Sequence, residues 1–69
     1  MTVMERRRFE RMYADHFDTV LRYCLRRTTR EDALDAAAET FTVAWRRREA
    51  LPWDEPLPWL YGVAYKVLG

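Results

Sequence analysis

Trp53, Trp59, Tyr61 and Tyr65 fall within fourteen positions, in a stretch that also carries all three prolines of the chain. Flat rings beside cations suit unstacked nucleic-acid bases: each base–aromatic stack is worth about 1–3 kcal/mol and requires no particular base. Arg46, Arg47, Arg48 and Lys66 flank the stretch and can supply the phosphate contacts that raise affinity without reading sequence. A second group is acidic. Glu31, Asp32, Asp35 and Glu39 recur at three- and four-residue steps, which brings side chains together on one helix face. The helix dipole favours Glu31 and Asp32 in a first turn, but it offers nothing to Asp35 and Glu39. A solvent-facing acidic pair has a reason if a basic partner covers it, because complementary charge guides docking and register.

No catalytic constellation accompanies these groups. His16 has no Ser or Cys partner at a recognised spacing. With Cys24 the only cysteine and His16 the only histidine, neither a disulfide nor a Cys/His zinc site is expected. The two glycines, Gly62 and Gly69, form no phosphate-binding loop. The expectation is a binding surface, not an enzyme, with no cofactor and no metal.

Helices must position these side chains. Apolar residues at 9, 13, 17, 20, 21, 24 and 25 step by three and four without Pro or Gly, predicting a long amphipathic helix over about 5–28. Thr29 with Asp32, or Thr28 with Glu31, has the spacing of a capping box for a second helix over about 30–49. Leu34, Ala37, Ala38, Phe41, Ala44 and Trp45 are its expected buried stripe, with Phe41 and Leu34 against the first helix. Proline discourages helix in the residue before it, so Pro52–Pro58 forms a turn, and a third helix starts in its wake over about 56–69. Leu60, Val63, Ala64 and Val67 share that helix's core face. Trp53 and Trp59 lie off the stripe and are expected to be displayed. Trp45 reads as packing and Cys24 as a small core residue. Tyr61 divides between packing and contact, and the Arg46–Arg48 run also sits where a helix C-terminus favours cations.

At 69 residues the chain is one all-α domain near the lower limit for independent folding. It is 49% hydrophobic and 33% charged, a globular composition rather than a disordered one. The net charge of +1 conceals sorting: residues 1–30 hold eight arginines against four acids, and residues 31–45 hold four acids and no base. Such sorting fits two differently charged surfaces, hence two partners, or solvated helix faces with ordinary dipole compensation, the reading that composition alone favours. No apolar run approaches a membrane span and the charged N-terminus is no signal peptide, so a cytoplasmic setting without a membrane is expected.

Phe9–Tyr13 with His16-Phe17, then Glu31–Asp35 through Glu39-Thr40-Phe41 with Ala44-Trp45, then Pro58–Ala64 follow one another in an order with a known counterpart. Together they resemble region 2 of bacterial sigma factors, closest to the extracytoplasmic-function (ECF) group, over essentially the whole of 1–69. The resemblance implies a domain of transcription initiation. It would dock on the clamp helices of the largest catalytic subunit of core RNA polymerase, and would capture and melt the promoter −10 element through flipped bases of the non-template single strand. It assigns Asp35 and Glu39, with Asp32 beside them, to polymerase binding. It assigns Trp59 to the upstream edge of the melted DNA and Trp53 to the loop that receives a flipped base. Tyr61, Tyr65, Lys66 and Arg46 complete the expected DNA-binding set.

Two positions depart from the family pattern. Ala38 stands where the family has Gln, which removes one amide from the docking surface. Tyr65-Lys66 stands in place of Arg-Asn, and Lys cannot reproduce the paired donor and acceptor of Asn. The alternative reading is a sigma-like interaction module whose main partner is an anti-sigma or other regulatory protein. Because the chain stops inside the third helix of that pattern, it is expected to be the N-terminal fragment of a longer protein.

Overall fold

The computed structural model describes residues 2–69 and contains three helices: α1 Val3–Leu25, α2 Arg30–Arg46 and α3 Leu57–Leu68. All three pairs of helices pack on one another, in a body of 36 × 18 × 18 Å. Among the described residues there is no strand, and no helix is long and apolar enough to cross a membrane.

Local chemistry sets most of the helix ends. Thr2 accepts from the Glu5 amide while the Glu5 carboxylate accepts from the Thr2 amide, a reciprocal box that starts α1 earlier than residue 5. For α2 the structure selects Thr29, whose hydroxyl accepts from the Asp32 amide at 3.2 Å. Pro56 precedes α3 and Pro58 occupies its first turn, where a missing N–H costs nothing. The C-terminal ends differ from expectation. α1 stops at Leu25 and α2 at Arg46, three residues short of 28 and of 49. After α2 the backbone leaves helical geometry at Arg47 (φ −112°, ψ 28°) and a series of turns follows. This early exit lets Leu51 return to the core, where it is 4% exposed.

The buried stripe of α2 is rotated from the one expected. Ala33, Ala36, Ala37, Thr40, Phe41 and Ala44 are buried, whereas Leu34 is 44% exposed and Ala38 lies on the surface. α2 packs on two neighbours at once, so its core face is set by the bisector between α1 and α3 rather than by its largest apolar side chains. Small residues there let both helices approach. Thr40 tolerates burial because its hydroxyl donates to the Ala36 carbonyl at 2.8 Å.

Phe41, 2% exposed, anchors the α1 side, with ring centroids 4.9 Å from Tyr13 and 5.7 Å from Phe17. Met12, Val20 and Cys24 from α1 and Leu60 and Ala64 from α3 close the core; Val67 packs against it half-buried, whereas Val63, expected on the same face, is half-buried without joining the cluster. Burial pushes the Cys24 thiol above its ordinary pKa, with the Arg27 charge opposing in part. Trp45 packs as expected, its ring 5.1 Å from Phe9 in an edge-on arrangement.

Candidate functional site

The acidic residues assemble as their spacing requires. Asp32, Asp35 and Glu39 are exposed and line a shallow depression of about 280 Å³ between α2 and the last turn of α3, with Thr28, Ala36, Val67 and Leu68. None of the three has a basic side chain within ion-pair distance among the described residues; the ion pairs there are Arg6–Glu10 and Arg48–Glu5. Asp32 is favoured by the first turn of α2, while Asp35 and Glu39 carry like charges one turn apart that no ion pair among the described residues offsets.

Further along the same α2/α3 seam, Trp59, Arg47 and Lys66 line a groove of about 540 Å³ whose floor includes Val43, Gly62 and Val63. The Arg47 guanidinium lies 5.9 Å from the Trp59 ring centroid, at the outer limit of a cation–π contact. Glu39 and Val67 line both concavities, so the acidic depression and the cationic groove adjoin.

The remaining residues of the expected DNA-binding set are dispersed. Trp53 lies against α1 and lines concavities other than the Trp59 groove: its neighbours are Glu5, Arg8 and Arg48 on one side and Arg8, Arg11 and His16 on another. Its indole N–H donates to the Arg48 carbonyl at 3.0 Å, and the Arg8 guanidinium lies over its ring at 4.4 Å. Tyr61 turns toward α1, its ring centroid 5.0 Å from that of Tyr23, whose own ring carries Arg27 at 4.0 Å. Tyr65 is 67% exposed. Arg46 is exposed and follows Glu39 by seven residues, which places it on the acidic stripe of α2.

Two expectations are corrected here. Trp53 and Trp59 are half-buried and packed against the core cluster, so they fill as much as they display. The Arg46–Arg48 run also does not act as one patch. Arg46 faces solvent and Arg47 joins Trp59, while Arg48 is structural: Nη1 donates to the Trp45 carbonyl at 2.8 Å, and the guanidinium covers the Trp45 ring at 4.1 Å. Its buried Nε lies 3.7 Å from a Glu5 carboxylate oxygen, within ion-pair range but too long for a hydrogen bond.

Sequence reasoning missed Arg8 and Arg11 as neighbours of Trp53. The density of arginine in the first turns of α1 was the available signal. The chain matches no protein-family model, no curated protein and no solved structure.

Proposed function

We propose that the chain is a non-catalytic transcription-initiation domain of the sigma-factor region 2 type, acting in the cytoplasm. In this reading it docks on the clamp helices of core RNA polymerase through Asp32, Asp35 and Glu39. It receives the non-template single strand of the promoter −10 element on the groove of Trp59, Arg47 and Lys66. The observation that carries the reading is the α2/α3 seam, where an acidic depression without an ion-pair partner among the described residues adjoins a groove lined by one indole, two cations and the shared Glu39. A basic helix would find complementary charge at one end, and a strand with its bases unstacked would find a ring and phosphate partners at the other. Arg47 replaces Arg46 in the strand-binding set, and Tyr65 is kept in it for its exposed ring.

A pull-down of core RNA polymerase tests this. The double charge reversal Asp35→Lys with Glu39→Lys is expected to abolish capture while shifting stability by no more than about 0.5 kcal/mol, as for surface changes away from packed features. Capture equal to that of the unaltered chain overturns the assignment.

A second reading, an interaction module for an anti-sigma or similar regulatory protein, is supported by the exposure of Leu34 at 44% and Leu25 at 41%. Leu34→Glu separates the two, since it disturbs such a partner and spares the acidic face.

A further inference from the structure

The first turns of α1 place Arg6, Arg7, Arg8 and Arg11 close together, an arrangement that folding does not reward. Arg7 and Arg11 are one turn apart, where like charges destabilise a helix, and Arg8 and Arg11 are three residues apart on neighbouring faces. The nearby carboxylates are committed elsewhere: Glu5 closes the cap and meets Arg48, and Glu10 pairs with Arg6 at 3.5 Å. Arg7, Arg8 and Arg11 have no carboxylate within ion-pair distance among the described residues, and all three are exposed. They line one concavity of about 650 Å³ with Met4 and Glu5. Arg8 and Arg11 continue from it into a second, where they meet Trp53 and His16; Asp15 and Asp54 also border that one.

From this juxtaposition we infer a second phosphate-binding track, formed by Arg7, Arg8 and Arg11 and ending on Trp53, for the sugar–phosphate backbone of a single nucleic-acid strand. Three guanidiniums in a row, with fixed forks of donors, match a chain of phosphates better than one isolated anion. An aromatic ring at the end of the row suits a nucleic-acid strand rather than an acidic peptide, because a base stacks where a carboxylate has nothing to stack. Arg8 already sits over the Trp53 ring at 4.4 Å, so a base can reach that face only if the guanidinium moves aside to a phosphate. Asp15 and Asp54 border the Trp53 end, and Glu5 and Glu49 line its other concavity with Arg8, so phosphates are held along Arg7, Arg8 and Arg11 and only a base reaches the ring. The inference rests on the reading of the chain as a single-strand binder and adds a contact region on the α1 side, apart from the Trp59 groove.

The test is fluorescence anisotropy of a short labelled single-stranded oligonucleotide with the 69-residue chain, over a range of NaCl concentrations. Arg7→Gln with Arg11→Gln is compared with the Arg7→Lys, Arg11→Lys pair and with Trp59→Ala, and circular dichroism establishes that each is folded. The Gln pair is expected to keep its helicity, since it removes a like-charge repulsion. It should lower the slope of log K against log [salt] by about 1.4, that is about 0.7 for each phosphate contact on a single strand. The Lys pair should retain the slope. A Gln pair with the unaltered slope, while Trp59→Ala still weakens binding, overturns the track and leaves the proposed function standing. An unaltered chain that does not bind the strand, or binding that none of the variants changes, overturns both. If polyglutamate of equal length competes as well as the oligonucleotide, the track is a general anion surface and the nucleic-acid assignment falls.

Discussion

Trp53 and Trp59 stand six residues apart on either side of the proline-rich turn, both half-buried, and differ in what holds them. Trp53 is fixed at its polar edge by a hydrogen bond to the Arg48 carbonyl and over its ring by Arg8, so it joins the chain after α2 to the start of α1. Trp59 has no side-chain hydrogen bond among the described residues, and its cation, Arg47, is 1.5 Å more distant than Arg8 is from Trp53 (5.9 against 4.4 Å). The same residue type thus closes the fold in one region and lines an open groove in the other. What separates the roles is the use of the indole N–H: once a buried donor is satisfied internally, turning the ring outward costs that bond.

Phe41→Ala would remove the ground on which both regions stand, because α2 leads directly into Arg47 of one and Arg48 of the other. A loss of about 3–5 kcal/mol is expected for a buried aromatic, enough to unfold a domain of this size in a thermal melt. An unchanged melt would show that the packing of α1 on α2 is not as described.

The comparison itself is sharpened by a pair of truncations. Trp53→Ala should destabilise by about 2–3 kcal/mol, combining lost packing with an unsatisfied carbonyl partner and a lost cation–π contact. Trp59→Ala should destabilise by about 1–2 kcal/mol, the packing contribution of a half-buried side chain alone. It should also remove about 1–3 kcal/mol of single-strand binding. Denaturant titrations of both variants decide the matter, and equal losses of stability would erase the distinction.

Gly62 gives a smaller effect of opposite sign. It sits inside α3, where glycine is unfavourable by roughly 0.8–1 kcal/mol relative to alanine, and a Cβ added there meets nothing within 4 Å. Gly62→Ala should therefore raise stability by up to about 1 kcal/mol. Because Gly62 lies on the floor of the Trp59 groove, the same change should weaken strand binding if the groove is used. A more stable variant with unaltered binding would separate the groove from the strand.

Cys24 offers the least effect, and it leaves both tryptophan regions untouched. Its folded-state pKa is raised above the ordinary 9.0, mainly by burial. The unfolded thiol therefore ionises first as pH rises, and the stability linked to it is fully present below that value and lost as pH climbs toward the folded one. Melting temperature should fall over this alkaline window, and Cys24→Ala should flatten that part of the decline.

Much of the architecture was legible without tertiary information. Thr29 with Asp32, the prolines at 56 and 58 and the three- and four-residue apolar steps place the helices, because caps and periodicity depend on residues within a turn or two of each other. The acidic face was legible for the same reason: Asp32, Asp35 and Glu39 share a stripe in any helix that contains them. Leu34 was misplaced by that logic, and Thr40 was left out of the buried stripe. Hydrophobicity ranks leucine above threonine for burial, but a helix between two neighbours buries whatever faces their bisector, and Thr40 carries its own acceptor one turn back at Ala36.

The sequence alone determined three helices, the turn between the second and third, and the charge sorting along the chain, since these depend on neighbours a few residues away. Which arginine serves which ring was decided only by the tertiary structure. Arg8 lies 45 positions from Trp53 in the chain and 4.4 Å from its ring, while Arg46, Arg47 and Arg48, consecutive in sequence, end in solvent, beside Trp59 and over Trp45. No local rule reaches across that separation. The packing of α1 on the end of α2 brings those groups together, and the competition among indole N–H, backbone carbonyl and guanidinium for one another then fixes which ring is held and which is left open.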